Sequence, residues 1–222
     1  KTFAMSHERT FTKPDYEEIK SKMENNPKLH FSVVWEKYQQ GDASMTLEEK
    51  RQVYYGYVFT KDYSPYAGTN ISTEMKAIIG KEKPDRKDWE ALIALLNNAL
   101  TKDPFHCRYL YWLNVAYTAL GKREEAHRTL NKIRCILDAL TSTGDGLSKE
   151  TAIHVIAVSQ EYDFLFLNGL TMHTQLFIDG GYDLLQVVSN ENYEEDMNPL
   201  GNEDKLNELW FDVKQAMRKM WR

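Results

Sequence analysis

From about residue 14 to residue 140 the apolar positions recur three and four apart, as on helices that bury one face; beyond residue 148 short β-branched or alternating runs take over. The first segment therefore reads as a succession of helices. Pro14, Asp15 and Glu17 suit a first turn, because proline lacks an amide that a helix start leaves unpaired, and carboxylates favour the positive end of the dipole. A helix is predicted from about Pro14 to Glu24. Asn25-Asn26-Pro27 ends it and opens a second, running to about Gln40, in which Leu29, Phe31, Val33, Val34, Trp35 and Tyr38 form a wide apolar face before Gly41. Thr46-Leu47-Glu48-Glu49 is a capping box: the threonine oxygen accepts from the Glu49 amide while the Glu49 carboxylate reaches back. The helix it opens should reach about Phe59, and Lys61 to Asn70, rich in turn residues, should be loop.

Residues 85 to 140 carry an internal repeat signal. With Gly121 placed at the turn of a tetratricopeptide-like unit, Leu110, Leu113 and Tyr117 fall at first-helix packing positions, and Ala126, Leu130 and Ile133 at second-helix ones. One period earlier lie Leu92, Leu96 and Ala99, with Pro104 as the closing proline. Pro84 is expected to break the preceding helix and Gly144-Asp145-Gly146 ends the pattern, leaving one and a half repeats. Such units stand alone only in stacks of about three or more, so another layer must cover the open face.

The last third can supply it. Ala152 to Val158 is apolar on nearly both faces and predicts a strand covered on both sides. Gln160 to Asn168 predicts a short helix with Tyr162, Leu165 and Phe166 on one face. Thr174–Ile178 and Asp183–Val188 predict strands joined as a hairpin through Asp179-Gly180-Gly181. Leu209, Phe211 and Val213 alternate with Glu208, Trp210 and Asp212 as a fourth strand, and a terminal helix follows from about Val213. The expected class is α+β: a helical layer over 14–140 packed on a small, mostly antiparallel sheet over 148–222, together forming one domain across 1–222.

Composition narrows the partners. The chain of 222 residues has 28 basic and 33 acidic side chains, a net charge of -5, and no basic block, which argues against nucleic acid or an anionic membrane. A mean hydropathy of -0.59 and the lack of a long apolar run exclude a transmembrane helix from the reading. A monomer without cofactor is expected. The chain starts at Lys1 with Lys-Thr-Phe-Ala-Met-Ser, so an upstream segment is expected to have been removed. A cleaved export signal and a shortened recombinant chain both account for that.

Pro14-Asp15-Tyr16-Glu17-Glu18-Ile19, Tyr54-Tyr55-Gly56-Tyr57 with Tyr63-Ser64-Pro65-Tyr66, Glu161-Tyr162-Asp163 and Tyr182-Asp183-Leu184-Leu185 together span most of the chain. In these segments it resembles an uncharacterised family of secreted proteins from gut anaerobic bacteria, defined only as a domain of unknown function. The resemblance implies a mature chain of this size that followed an export signal, hence a periplasmic or extracellular location. It implies no activity.

The residues offer several candidate sites. Five tyrosines lie between Tyr54 and Tyr66, and Tyr57, Tyr63 and Tyr66 are the choice for a stacking platform, against the alternative that the rings pin a loop to the core. His154, Glu161, Asp163 and His173 are the polar residues a metal or general base would draw on, although their spacing matches no metal motif. Cys107 and Cys135 are each 14 residues from Gly121, so they face one another across a helical hairpin. A disulfide there would stabilise by about 2–4 kcal/mol. Packed helix axes are, however, about 8–10 Å apart and bridged Cα atoms under about 7 Å, so two free thiols are expected. Glu191, Glu194, Glu195, Asp196, Glu203 and Asp204 lack the spacing of a calcium loop and read as solvated.

No nucleophile elbow, phosphate loop or dinucleotide fingerprint occurs, so no catalytic residue is assigned. The expected function is a non-enzymatic, exported interaction module presenting a groove or aromatic patch to a peptide, protein or glycan. The alternative is a hydrolase or metal-dependent enzyme using the His/carboxylate residues. A structural role in a surface assembly is a third reading.

Overall fold

The computed structural model describes residues 10–66, 70–192 and 207–218. Helices fill the described chain up to residue 141, and a four-stranded sheet follows, an α+β arrangement.

The first three helices are α1 (Tyr16–Asn25), α2 (Phe31–Gln40) and α3 (Leu47–Gly56), the last continuing into a 3-10 turn over Tyr57–Phe59. α1 begins two residues after Pro14 because the Asp15 carboxylate takes the cap, accepting from the amides of Glu17 and Glu18 at 3.0 Å. α2 starts at Phe31 rather than Pro27, since Asn26 holds a turn of its own: its side chain accepts from the Lys28 amide and its carbonyl from the Leu29 amide. The Thr46 capping box forms as read, with Glu49 N donating to Thr46 Oγ1 at 3.2 Å and Thr46 N to Glu49 Oε2 at 2.8 Å.

A short helix that the pattern did not announce, α4 (Ser72–Ile79), precedes α5 (Arg86–Leu100), α6 (Cys107–Ala119) and α7 (Arg123–Thr141). Pro84 stands before the cap of α5 rather than inside a helix. Asp85 and Asp88 form a second, reciprocal capping box there. Leu92, Leu96, Ala99, Leu113 and Ala116, with Met75 and Tyr109, make one buried cluster between α4, α5 and α6. A larger cluster runs from Ile19 and Val34 through Tyr54, Phe105 and Ile136 to Ile153, Val187 and Phe211, so helices and sheet bury their apolar faces against each other.

The strands are β1 (Ile153–His154), β2 (Leu170–Ile178), β3 (Tyr182–Ser189) and β4 (Asn207–Asp212), in the order β1-β4-β3-β2. β2 and β3 form the expected hairpin, with Gly180 and Gly181 at φ +93° and +84°, values that only glycine adopts without strain. β4 pairs antiparallel with β3 but parallel with β1, so the sheet is mixed. The expected strand over 152–158 is cut to two residues. The Gln160 side chain accepts from the amides of Ile156 and Ala157, turning the chain out of the sheet and into α8 (Ser159–Leu167). α8 lies between α6 and β2. A last turn, α9 (Lys214–Met217), closes the described chain. Most of the acidic loop, from Glu194 to Asp204, lies outside the described residues.

Candidate functional site

The tyrosine block turns inward. Tyr54 and Tyr55 are fully buried on α3, and Tyr57 and Tyr63 are 7% and 4% exposed, whereas Tyr66 is 57% exposed. Each buried ring finds an acceptor for its hydroxyl: Tyr63 donates to the Ile156 carbonyl at 2.7 Å, Tyr57 to the Asp62 carbonyl at 3.3 Å, and Tyr54 to Gln160 Oε1. Tyr55 lies 3.1 Å from the His154 carbonyl and 3.2 Å from that of Ala139. Burial pushes the phenols of Tyr57 and Tyr63 up to about 12. A ring held this way offers no face to a ligand, so Tyr57, Tyr63 and Tyr66 do not share one open platform.

His154, Glu161 and Asp163 lie against three different neighbours, and His173 stands apart from them. His154, on β1, receives the Tyr16 hydroxyl at Nε2, 2.8 Å away, and its Nδ1 is 3.2 Å from Asp212 Oδ2. Burial alone would raise the Asp212 carboxyl, but its hydrogen bonds to His154 and the Lys214 amide, together with the Lys214 charge, hold it below its ordinary value. Asp163 Oδ2 accepts from the Cys107 amide at 2.6 Å and is 2.9 Å from His106 Nδ1. It thus caps α6 from outside, satisfying an amide that the helix start cannot pair. Glu161 is wholly buried beside Asp183, itself 4% exposed. Burial first, then the neighbouring Asp183 carboxyl, push Glu161 up to about 9, so it is protonated at neutral pH. Gln175 Nε2 donates to Asp183 Oδ2 at 2.7 Å and its oxygen accepts the Tyr162 hydroxyl. His173 is half-buried at a bulge where the β2–β3 pairing skips from Met172 to Thr174. Among the described residues, no group of three or more His, Cys, Asp or Glu is placed to hold a metal ion.

Cys107 and Cys135 are buried free thiols rather than a bridge. Burial raises Cys135 to about 12 and Cys107 well above the ordinary thiol value.

An open surface occurs elsewhere, on the side of α6 turned away from Leu110 and Leu113. A cleft of about 410 Å³ lies between α4, α6, α8 and β2. Arg108 stands in it with its guanidinium 5.0 Å from the Phe166 ring, and Trp112 and Met172 line the walls. Tyr111, 40% exposed, meets Phe166 edge-on at 5.1 Å and Trp112 at 5.4 Å. Arg108 makes no ion pair with a described carboxylate, and its Nε is buried without a partner. The sequence contains the α6 half of this surface, as Arg108, Tyr111 and Trp112 at helical spacing. What it does not show is that α8 brings Phe166 against them.

A family model described as Domain of unknown function (DUF4919) matches residues 17–220. No curated protein and no solved structure matches the chain.

Proposed function

The chain belongs to the DUF4919 family, whose function is unknown, and on that premise we propose that it is a non-enzymatic binding module whose occupant is a peptide segment carrying an acidic side chain beside an aromatic or aliphatic one. The observation that carries this reading is Arg108: an arginine without a carboxylate partner among the described residues, stacked on Phe166, in a cleft walled by Trp112. Arginine and large aromatics are the residues that dominate binding energy at interfaces, and a half-desolvated guanidinium gains most from a carboxylate it does not already hold. Lys76 at the rim adds a second positive charge. The helical layer of α5, α6 and α7, read as tetratricopeptide-like, would serve as the rigid support. An exported location, after removal of a signal, belongs to the same reading and rests on the resemblance set out above. The rival enzyme reading has less behind it, because His154 lies against Asp212, Asp163 against His106 and Glu161 beside Asp183.

The test is a thermal-shift and titration screen against acidic-aromatic peptides, their amidated counterparts and neutral glycans. The acidic peptides are expected to raise the melting temperature saturably, and Arg108→Ala or Trp112→Ala to weaken binding about tenfold or more. Binding that ignores both substitutions, or no shift with any peptide, refutes the reading; saturable binding of neutral glycans alone replaces the peptide with a sugar.

A further inference from the structure

The opposite face of α6 borders a second, smaller cavity. It has a volume of about 290 Å³ and lies where α2, α5, α6 and α7 meet the connection that ends at Pro104. Its apolar walls include Trp35, Tyr38, Leu110 and Leu113. One cation reaches it, Lys132 of α7, which is half-buried.

Lys22, Lys37, Lys50 and Lys81 each hold a carboxylate within 2.8 Å. Lys132 holds none among the described residues. Its Nζ lies 5.5 Å from the centre of the Tyr38 ring and 3.3 Å from Gln39 Oε1. Burial lowers its affinity for a proton, and no acid opposes the effect. An ammonium partly stripped of water, with only a ring face and one amide oxygen in exchange, lacks the counter-charge that would offset its desolvation. The Tyr38 hydroxyl donates to the Pro104 carbonyl at 2.6 Å, and it is the ring that Tyr38 offers to the ammonium. The cavity therefore combines apolar walls, interrupted by Gln39, Asn97 and Thr101, with an ammonium that no carboxylate among the described residues answers.

We propose that this cavity binds a small organic monocarboxylate with an apolar body, its carboxylate paired with Lys132 Nζ and its hydrocarbon part against Trp35 and Leu113. The size sets the limit: about 290 Å³ falls just below the roughly 300–1,000 Å³ of drug-sized sites. A branched aliphatic or single-ring acid suits it, and a peptide could enter only with its C-terminal residue. The free acid and the peptide terminus share one chemistry, and the site is independent of the Arg108 cleft.

The experiment titrates the whole chain with 4-methylpentanoate and 3-phenylpropanoate, their primary amides, and a blocked dipeptide ending in leucine as the acid and as the amide, while following the Trp35 indole signal by NMR. The acids are expected to bind saturably with dissociation constants below about 1 mM and to shift the Trp35 resonance, with the amides about tenfold weaker or more. Lys132→Met, which keeps the length of the stem, should bring the acids down to the level of the amides. Binding of the small acids alone identifies a free metabolite-like acid; preference for the dipeptide acid identifies a chain terminus. Acids and amides binding alike, no saturable binding, or a Trp35 signal that does not respond overturns the proposal. The acid-to-amide comparison on the unaltered chain decides the matter even where Lys132→Met fails to fold.

Discussion

Replacing Glu161 with glutamine should make the protein more stable at neutral and alkaline pH, by an amount that follows from how far burial raises its carboxyl. Glu161 has no exposed surface, and its one polar neighbour of consequence is Asp183. Its carboxyl is held near 9 from an ordinary value of 4.5, so the folded chain keeps a proton that the unfolded chain releases anywhere between those values. In that window the unfolded state binds fewer protons, and stability falls as pH rises. Each pH unit costs about 1.4 kcal/mol, so this one group removes about 4 kcal/mol between roughly pH 5 and pH 8. Glu161→Gln has nearly the same shape, keeps a donor toward Asp183 and carries no titration, so the loss should vanish. Urea unfolding of both chains at about pH 5, 6.5 and 8 measures it: the curves should nearly coincide at the low end and separate by several kcal/mol in favour of the variant at the high end. A difference that stays constant within about 0.5 kcal/mol over that range would show that Glu161 is ionised in the folded protein, and the reasoning would fall.

Two further outcomes follow from backbone and thiol geometry. Gly41 ends α2 at φ +63°, and a Cβ there would lie 2.4 Å from the Arg128 carbonyl oxygen of α7. Gly41→Ala should therefore cost about 2 kcal/mol or more in thermal unfolding, while Gly121→Ala, at φ +71° with nothing within 4 Å of its Cβ, should cost only about 1 kcal/mol; equal losses would mean that the contact with α7 is unimportant. Cys107 and Cys135 should both stay unreactive toward a thiol-exchange reagent in the folded protein at about pH 8 and both react in denaturant. A fast-reacting thiol in the native chain would contradict their burial.

Local features of the fold were readable in the sequence, and features that depend on distant partners were not. The Thr46–Glu49 box and the Asp179-Gly180-Gly181 turn are settled within four residues, and both form where the pattern puts them. The Asp85–Asp88 box is equally local, and Pro84, which suggests a break, only precedes its cap. The run from Ala152 to Val158 has strand-forming side chains throughout, yet Gln160, from beyond its end, takes two of its amides and ends the strand at His154. The direction of the tyrosines was illegible for the same reason. Nothing near Tyr63 says that its hydroxyl meets the carbonyl of Ile156, 93 residues away. Likewise His154 and Asp163 found their partners in Asp212 and His106, neither of which stands close to them in the chain. Glu161 is strongly perturbed by burial and by Asp183, a neighbour that no spacing in the chain connects to it.

The inward tyrosines have a further consequence for how the sheet ends. β1 is its outermost strand on one side, only two residues long, and an outermost strand ordinarily leaves carbonyls free to recruit a strand from another molecule. Here the hydroxyls of Tyr55 and Tyr63 already occupy the carbonyls of His154 and Ile156. A block of aromatic residues that looks made for seizing ligands instead closes one margin of the sheet against intruders, and a chain that lost these hydroxyls would gain not a binding face but a sticky border.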